Sequence, residues 1–430
     1  MNKILPSNIA NDLLQYLSYL AESEISLYEF LKQIDILNRK SLPQMRKKGL
    51  SERHAKAILL KLSNIAVSRY QYLRRHRFLI ARPFGLIVDP SNACPLECPG
   101  CIHRKRKFEK SNIDWINGTL KEKTLDKLLA TFGPFAINTQ YFNWGEPLLN
   151  KSTPQFIKNS RRFLMRTSVS TNLSVNFDAE ALISSGLDYL VMSIDGATAA
   201  TYEKYRVGGN FGLVLSNIEK LVEARKKLKS QTPVIVWQYL LFDHTISEMD
   251  QAKILAEKLG VDRIIFAEPY DVSKYDPKIT KPNKCPVRVD VFDTKVGAGR
   301  WSIVNALSNL DPIIDDQWET TWFSRMDDTF TDHSKSETCL WLYMNMAMDA
   351  KGRIMPCCFE PLSNPTSIFG DINKNVDVFN TSNYIKSREG FFKSDFDGDH
   401  ITVCSICPHK KSTPNINYNH LKAYFNIVEF

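Results

Sequence analysis

The amino-acid sequence predicts an α/β protein built on a parallel sheet, closed or partly closed into a barrel. A helical extension precedes the sheet and a small cysteine-rich region follows it. Three observations predict this. After Pro83, short apolar runs alternate six times with amphipathic stretches. Residues 1–78 instead show apolar residues three and four apart, without strand-like alternation. Eight of the nine cysteines fall into two groups, one near each end of the alternating region.

The elements follow in order. NIANDLLQYLSYLA, SLYEFLKQIDILNRK and LSERHAKAILLKLSNIAVSRYQYL read as helices, with Ser51 capping the third. GLIVD, INTQYF, TSVSTN, DYLVMSID, VIVWQYLLF and RIIFAEP read as strands, and KTLDKLLATF, TPQFIKNSRRFL, DAEALISSG, GLVLSNIEKLVEARKKL and SEMDQAKILAEKLG as the helices between them. Repeated strand–helix–strand units make right-handed crossovers and hence a parallel sheet. The loops after its strands gather on one rim, where chemistry sits in such barrels. The expected divisions are residues 1–78 for the helical extension, 79–270 for the barrel, 271–338 for a connecting segment without clear period, and 339–430 for the cysteine-rich region.

Composition narrows the function classes. With 430 residues, 43% apolar and 24% charged, the chain can bury a large core. Pro6, Asn8, Asn11 and Asp12 interrupt what would have to be an apolar signal core, and no run reaches membrane-spanning length. A cytoplasmic protein with reduced thiols is expected, since the tight cysteine spacing suits metal ligation better than disulfides. The net charge of +9 is uneven: ten Lys or Arg and one acidic residue, Glu52, lie between Arg46 and Arg77.

In DPSNACPLECPGCIHRKRK, Cys94, Cys98 and Cys101 follow the first strand with C-x3-C-x2-C spacing. A zinc knuckle would close with a fourth Cys or His, for which His103 is the nearby candidate. Three thiolates on a 4Fe-4S cubane leave one iron open to a small molecule. Here the sequence resembles the radical S-adenosylmethionine (SAM) enzymes, which carry this spacing after the first strand of a partial (β/α)6 TIM-like barrel.

Further motifs stand in order. FNWGEPLLN, after the second strand, is similar to the family's glycine-rich loop for the SAM amino group, with Gly145, Glu146 and Pro147 matching and Trp144 where a first glycine is common. SVSTN resembles the polar turn ending the third strand, implying that Ser170 and Asn172 face the cofactor. VMSIDG resembles the ribose motif, with Ser193 and Asp195 toward the sugar hydroxyls. ATYEKYRVGGNF resembles the segment whose arginine, here Arg206, pairs with the SAM carboxylate through a two-pronged guanidinium contact. Gln238, in WQYLLF, is a possible rim contact. The chain departs from the pattern at Gly100, where an aromatic beside adenine is usual; the adenine contact is then expected at Ile102 or Phe266.

CLWLYMNMAMDAKGRIMPCC sets twelve residues between Cys339 and Gly352 and four between Gly352 and Cys357. This resembles the opening of the SPASM extension, and DAKG is a good hairpin turn on its own account. With Cys404 and Cys407 of CSICP, the resemblance implies one auxiliary 4Fe-4S cluster on Cys339, Cys357, Cys404 and Cys407. A zinc ribbon stays open on spacing alone. Cys358 could exchange roles with Cys357, and Cys285 reads as a buried thiol.

The resemblance implies an oxidoreductase that reductively cleaves SAM to a 5'-deoxyadenosyl radical, fed by a reducing partner such as flavodoxin or ferredoxin. The substrate is a biosynthetic small molecule or a peptide. The basic run from His103 through Arg104, Lys105, Arg106 and Lys107 suits an acidic or phosphorylated one. A second reading is a non-enzymatic zinc or iron-sulfur protein with a basic nucleic-acid-binding face around Tyr70 and Tyr72, although a solvated helix surface accounts for that charge more simply. Asp311, Asp315, Asp316, Glu319, Asp327 and Asp328, near Trp318 and Trp322, are candidate proton acceptors, with a solvated acidic linker as the plainer account.

Overall fold

The structure is a computed structural model that describes residues 13, 16–17, 19–47, 49–104, 117–269, 272–273, 275–292, 339–358, 365–393 and 402–407. Lys105, Arg106, Lys107, the six acidic residues between 311 and 328, Trp318 and Trp322 lie outside the described residues.

Helices α1 (Leu27–Lys47) and α2 (Glu52–Leu73) lie in the extension, and most of the first expected helix, NIANDLLQYLSYLA, lies outside the described residues. Ser51 caps α2 as expected, its side chain accepting a hydrogen bond from the His54 amide. The six expected strands are all present: β1 (Gly85–Val88), β2 (Asn138–Tyr141), β3 (Arg166–Thr171), β4 (Tyr189–Ser193), β5 (Val234–Leu240) and β6 (Arg263–Ala267). Each pairs in parallel with the next. Between them run α3 (Glu122–Phe132), α4 (Thr153–Arg161), α5 (Ala179–Ser184), α6 (Ala199–Tyr205), α7 (Phe211–Lys227) and α8 (Met249–Leu259). The spacing of Leu125, Leu128, Leu129 and Phe132 turns one face of α3 into the core. Burial of each such side chain contributes roughly 1.5–3 kcal/mol. Sequence periodicity passes over the short helix α6, which starts at a capping box of Thr198 and Thr201.

Among the described residues the sheet has ten strands. Strand β7 (Arg288–Val291) lies antiparallel on β6, inside the segment expected to have no regular structure. Four residues with Arg288 and Asp290 make a short charged edge strand, whose pattern is too brief to read from sequence. Short α9 (Trp341–Met344) leads into β8 (Asn345–Met348), which pairs in parallel with β1 and turns through Asp349–Gly352 into β9 (Arg353–Met355). Gly352 has φ +89° there, and Asp349 accepts from the amides of Lys351 and Arg353. Strand β10 (Gly370–Asp371) and α10 (Ser382–Lys393) complete the C-terminal part. The cysteine-rich region therefore extends the sheet directly from β1.

One hydrophobic core joins the extension, the barrel helices and the C-terminal part. Lys61 of α2 is fully buried and donates to the Gly133 carbonyl at 2.8 Å and to the Ala136 carbonyl, closing the C-terminal end of α3. Arg388 of α10 is also buried and donates to the carbonyls of Leu342, Arg77 and Phe379. Among the described residues, no helix is long and apolar enough to cross a membrane.

Candidate cofactor and iron-sulfur sites

The rim at the strand ends gathers the expected residues. Cys94, Cys98 and Cys101 lie on the loop after β1, and the Cys101 amide donates to the Cys98 carbonyl at 3.1 Å. The Glu97 amide donates to the Val207 carbonyl, tying this loop to the turn after Arg206. Leu96 and Cys98 are buried against Tyr205, Phe242, Val272 and Ile279, with Tyr275 packed alongside. Burial pushes the Cys94 thiol up to about 12 and Cys98 up to about 11, the latter opposed by the neighbouring Arg206.

Gly100 has φ +80°, and a Cβ built on it would stand 2.6 Å from Val272 Cγ1 and 3.6 Å from Tyr275 Cδ2. Both the left-handed backbone and the packing of the 272–279 segment select glycine. Phe266, expected as an adenine contact, is instead fully buried against Tyr239 on the helix-facing side of the sheet. Ile102 is buried as well.

Gly145 passes so close to the cysteine segment that a Cβ would fall 1.5 Å from the Ser91 carbonyl oxygen. The Glu146 amide donates to the Ala93 carbonyl at 2.8 Å. Its carboxylate accepts from Thr171 Oγ1 at 2.7 Å, the Asn172 amide at 2.9 Å and the Leu148 amide at 3.0 Å. Glu146 thus fastens the loop to the end of β3, and Pro147 opens the tight turn that follows.

Asn172 donates through Nδ2 to Cys94 Sγ at 3.4 Å. The hydroxyls of Ser170 and Ser193 stand 3.4 Å apart, and Gln238 is in register with Ser193 on β5. Asp195 and Arg206 meet each other: Arg206 Nε donates to Asp195 Oδ2 at 2.6 Å, and Asp195 Oδ1 accepts from the Leu240 amide at 2.7 Å. Arg206 Nη1 reaches Cys98 Sγ at 3.9 Å. Both oxygens of Asp195 are therefore engaged by the protein, and Arg206 is aimed at the cysteine loop.

Three side chains have uses that the motifs did not reveal. His103 Nε2 bonds the Trp144 carbonyl oxygen at 2.9 Å, where a zinc knuckle would need it as a fourth ligand. Arg104, first of the basic run, pairs with Asp276 at 3.3 Å. Asp89 is buried at the end of β1 and accepts from the amides of Trp144 and Gly145. Its only sequence signal is a lone acid directly after an apolar strand.

The second set is drawn together by the C-terminal part. Cys404 is buried within the electrostatic reach of Cys339, Cys357 and Cys407, and burial raises it well above an ordinary thiol. Cys358, like Trp341 and Ile368, packs against Ile87, Ala347 and Met355. Cys285 is partly buried beside Glu268 and Lys281. The two sets are linked through Asn92, whose Oδ1 accepts from the Ala350 amide at the hairpin turn at 3.0 Å.

Among the described residues, no three His, Cys, Asp or Glu side chains are gathered as a single metal ion requires. The first set nevertheless fits an iron-sulfur group: three thiols on one loop, N–H donors of Asn172 and Arg206 on two sulfurs, and an apolar wall.

Comparison with known proteins agrees. Residues 88–236 match the Radical SAM superfamily model and residues 339–408 the iron-sulfur cluster-binding domain model, SPASM. A probable GTP 3',8-cyclase of Methanococcus maripaludis is 27% identical over 42% of this chain and 56% of its own length. A PqqA peptide cyclase of Granulibacter bethesdensis is 24% identical over 44% of this chain and 48% of its own. The chain thus spans about half the length of these curated relatives. The crystal structure of Streptococcus suis SuiB aligns over 88% of this chain and 83% of its own, at 16% identity and TM-score 0.49. With the two models falling in order, each over its own cysteine set, the chain carries a radical SAM domain over residues 88–236 and a SPASM iron-sulfur domain over residues 339–408.

Proposed function

We propose that this chain is a radical SAM oxidoreductase that oxidises, or forms a new bond in, a biosynthetic substrate held over the barrel rim. The observation that carries the reading is the joining of two cysteine sets by one sheet: the hairpin that follows Cys339 pairs in register with β1, which leads into Cys94.

Cys94, Cys98 and Cys101 would hold a 4Fe-4S cluster and Cys339, Cys357, Cys404 and Cys407 an auxiliary one. Bound and reduced, the first would supply with SAM the one-electron chemistry that yields a 5'-deoxyadenosyl radical able to remove a hydrogen atom from an unactivated carbon. The chain's own residues bind and orient. The backbone of the Gly145–Glu146 turn would meet the cofactor's amino group, held against the cysteine segment because Gly145 lacks the Cβ that would strike the Ser91 carbonyl. Arg206, steadied by Asp195, offers its remaining guanidinium N–H groups to the carboxylate. Ser170, Ser193 and Gln238 supply neutral polar contacts on the lumen side, and Leu96, Tyr205 and Phe242 exclude water behind the cysteine loop. The auxiliary set would accept the electron left on the substrate.

Reduced thiols and an external electron donor of flavodoxin or ferredoxin type suit a cytoplasmic enzyme. The relatives' names point to nucleotide and peptide substrates alike, and the basic extension favours an acidic group on either. The test is mass spectrometry of 5'-deoxyadenosine formed by reduced, reconstituted protein with deuterated nucleotide and peptide candidates. Deuterium transfer identifies the class; zinc at both sites with no SAM cleavage would sink the reading in favour of a metal-binding protein without catalysis.

A further inference from the structure

The loop between β2 and α4 is held more firmly than a glycine turn requires. Four consecutive residues, Asn143 to Glu146, cross the rim beside the cysteine segment. Asp89 Oδ1 accepts from the Trp144 amide at 3.1 Å and from the Gly145 amide at 3.2 Å, and Oδ2 lies 3.2 Å from the Trp144 amide. On the other side of the same peptide, His103 Nε2 bonds the Trp144 carbonyl oxygen. Asp89 and His103 bracket the cysteines in sequence, one five residues before Cys94 and the other two after Cys101.

We propose that Asp89 is a positioning residue, which with His103 clamps the Trp144–Gly145 peptide so that the loop's backbone meets SAM in one fixed conformation. This rests on the radical SAM reading above. Converging amide N–H groups make a small anion-binding concavity, and a buried carboxylate persists only where such donors satisfy it. Here the acceptor is internal, so the concavity is filled by the protein and the loop is fixed. The strand that delivers the cysteines therefore also sets the loop opposite them, coupling the cluster side of the site to the SAM side.

Chemistry explains the pairing of residue types. An acid can accept two N–H bonds at once, whereas the carbonyl oxygen needs a donor, which the imidazole N–H supplies. Neither side chain is asked to touch SAM. Loss of the clamp should therefore leave the cluster in place and loosen cofactor binding, as removal of supporting partners does at other metal sites, by on the order of 10- to 100-fold.

The experiment uses the full chain, reconstituted anaerobically, as wild type, Asp89→Asn, Asp89→Ala and His103→Phe. Iron content and the electron paramagnetic resonance spectrum of the reduced protein are recorded without SAM, and the spectrum is then followed as SAM is added. All four should give the same starting spectrum. The SAM midpoint should rise about 10- to 100-fold in Asp89→Ala. Asp89→Asn should fall between it and wild type, because an amide oxygen keeps part of the acceptor. His103→Phe should also shift. If Asp89→Ala does not fold, Asp89→Asn and His103→Phe decide. Wild-type midpoints in the variants, or loss of the cluster in Asp89→Asn and His103→Phe, would overturn the proposal. A wild-type spectrum indifferent to SAM would instead refute the underlying functional reading.

Discussion

Asp195 grips Arg206 through Nε at 2.6 Å, and the guanidinium so held reaches the sulfur of Cys98 at 3.9 Å. Two residues that sequence motifs assign to different parts of SAM are thus one unit. Removing one partner leaves the other as a buried unpaired charge, which costs about 3–5 kcal/mol. Asp195→Ala and Arg206→Ala should each lower the denaturation midpoint, and the double variant should lose less than their sum, with a coupling of roughly 0.5–3 kcal/mol. Both single variants should also bind SAM more weakly. Normal SAM affinity in Asp195→Ala would show that Asp195 does not orient Arg206.

The apolar packing of Cys358 predicts an iron count. Two cubanes give about eight irons per chain. Cys98→Ala and Cys357→Ala should each keep about four, while Cys358→Ala, which only trims an apolar contact with Ile87 and Met355, should keep about eight. Cys98→Ala should also abolish SAM cleavage, and Cys404→Ala should retain uncoupled cleavage while losing substrate turnover. A Cys358→Ala protein short of iron would reverse the assignment.

Much of this was legible in the sequence for a physical reason. Buried parallel strands need continuous apolar runs, and the six runs from Gly85 to Ala267 announce themselves. Open coordination and close backbone approach likewise need cysteines at fixed spacing and a glycine. The pairing of β8 with β1 was not legible: about 260 residues separate Gly85 from Asn345, and nothing local says which edge a hairpin will join. Asp89 and the backbone partner of His103 were not legible, because a hydrogen bond to backbone leaves no periodic mark.

Gly100 makes a related point, since the missing aromatic has a structural cause. An L-residue at φ +80° is strained by roughly 1–2 kcal/mol, and its Cβ would also press on Val272. Gly100→Ala should lower the melting temperature. Combining it with Val272→Ala should recover only the steric part, beyond the cavity cost measured in Val272→Ala alone. A Gly100→Ala protein as stable as wild type would remove both explanations.

Lys61 predicts a pH dependence with a definite sign. Burial pushes its amine down from 10.5 to about 7, so between those values the unfolded chain holds a proton that the folded chain lacks. Stability then rises with pH through this window, and the contribution is lost as pH falls through about 7. Integrated from pH 7 to pH 9, the gain is about 2 kcal/mol. Lys61→Met orphans the carbonyls of Gly133 and Ala136, which costs about 1–3 kcal/mol, but it removes the titrating group. Melting curves of wild type and Lys61→Met in matched buffers should therefore diverge as pH rises from 7 to 9, wild type gaining and the variant not. Parallel curves would mean that the folded amine keeps its proton at pH 9, held by the α3 carbonyls against the cost of burial.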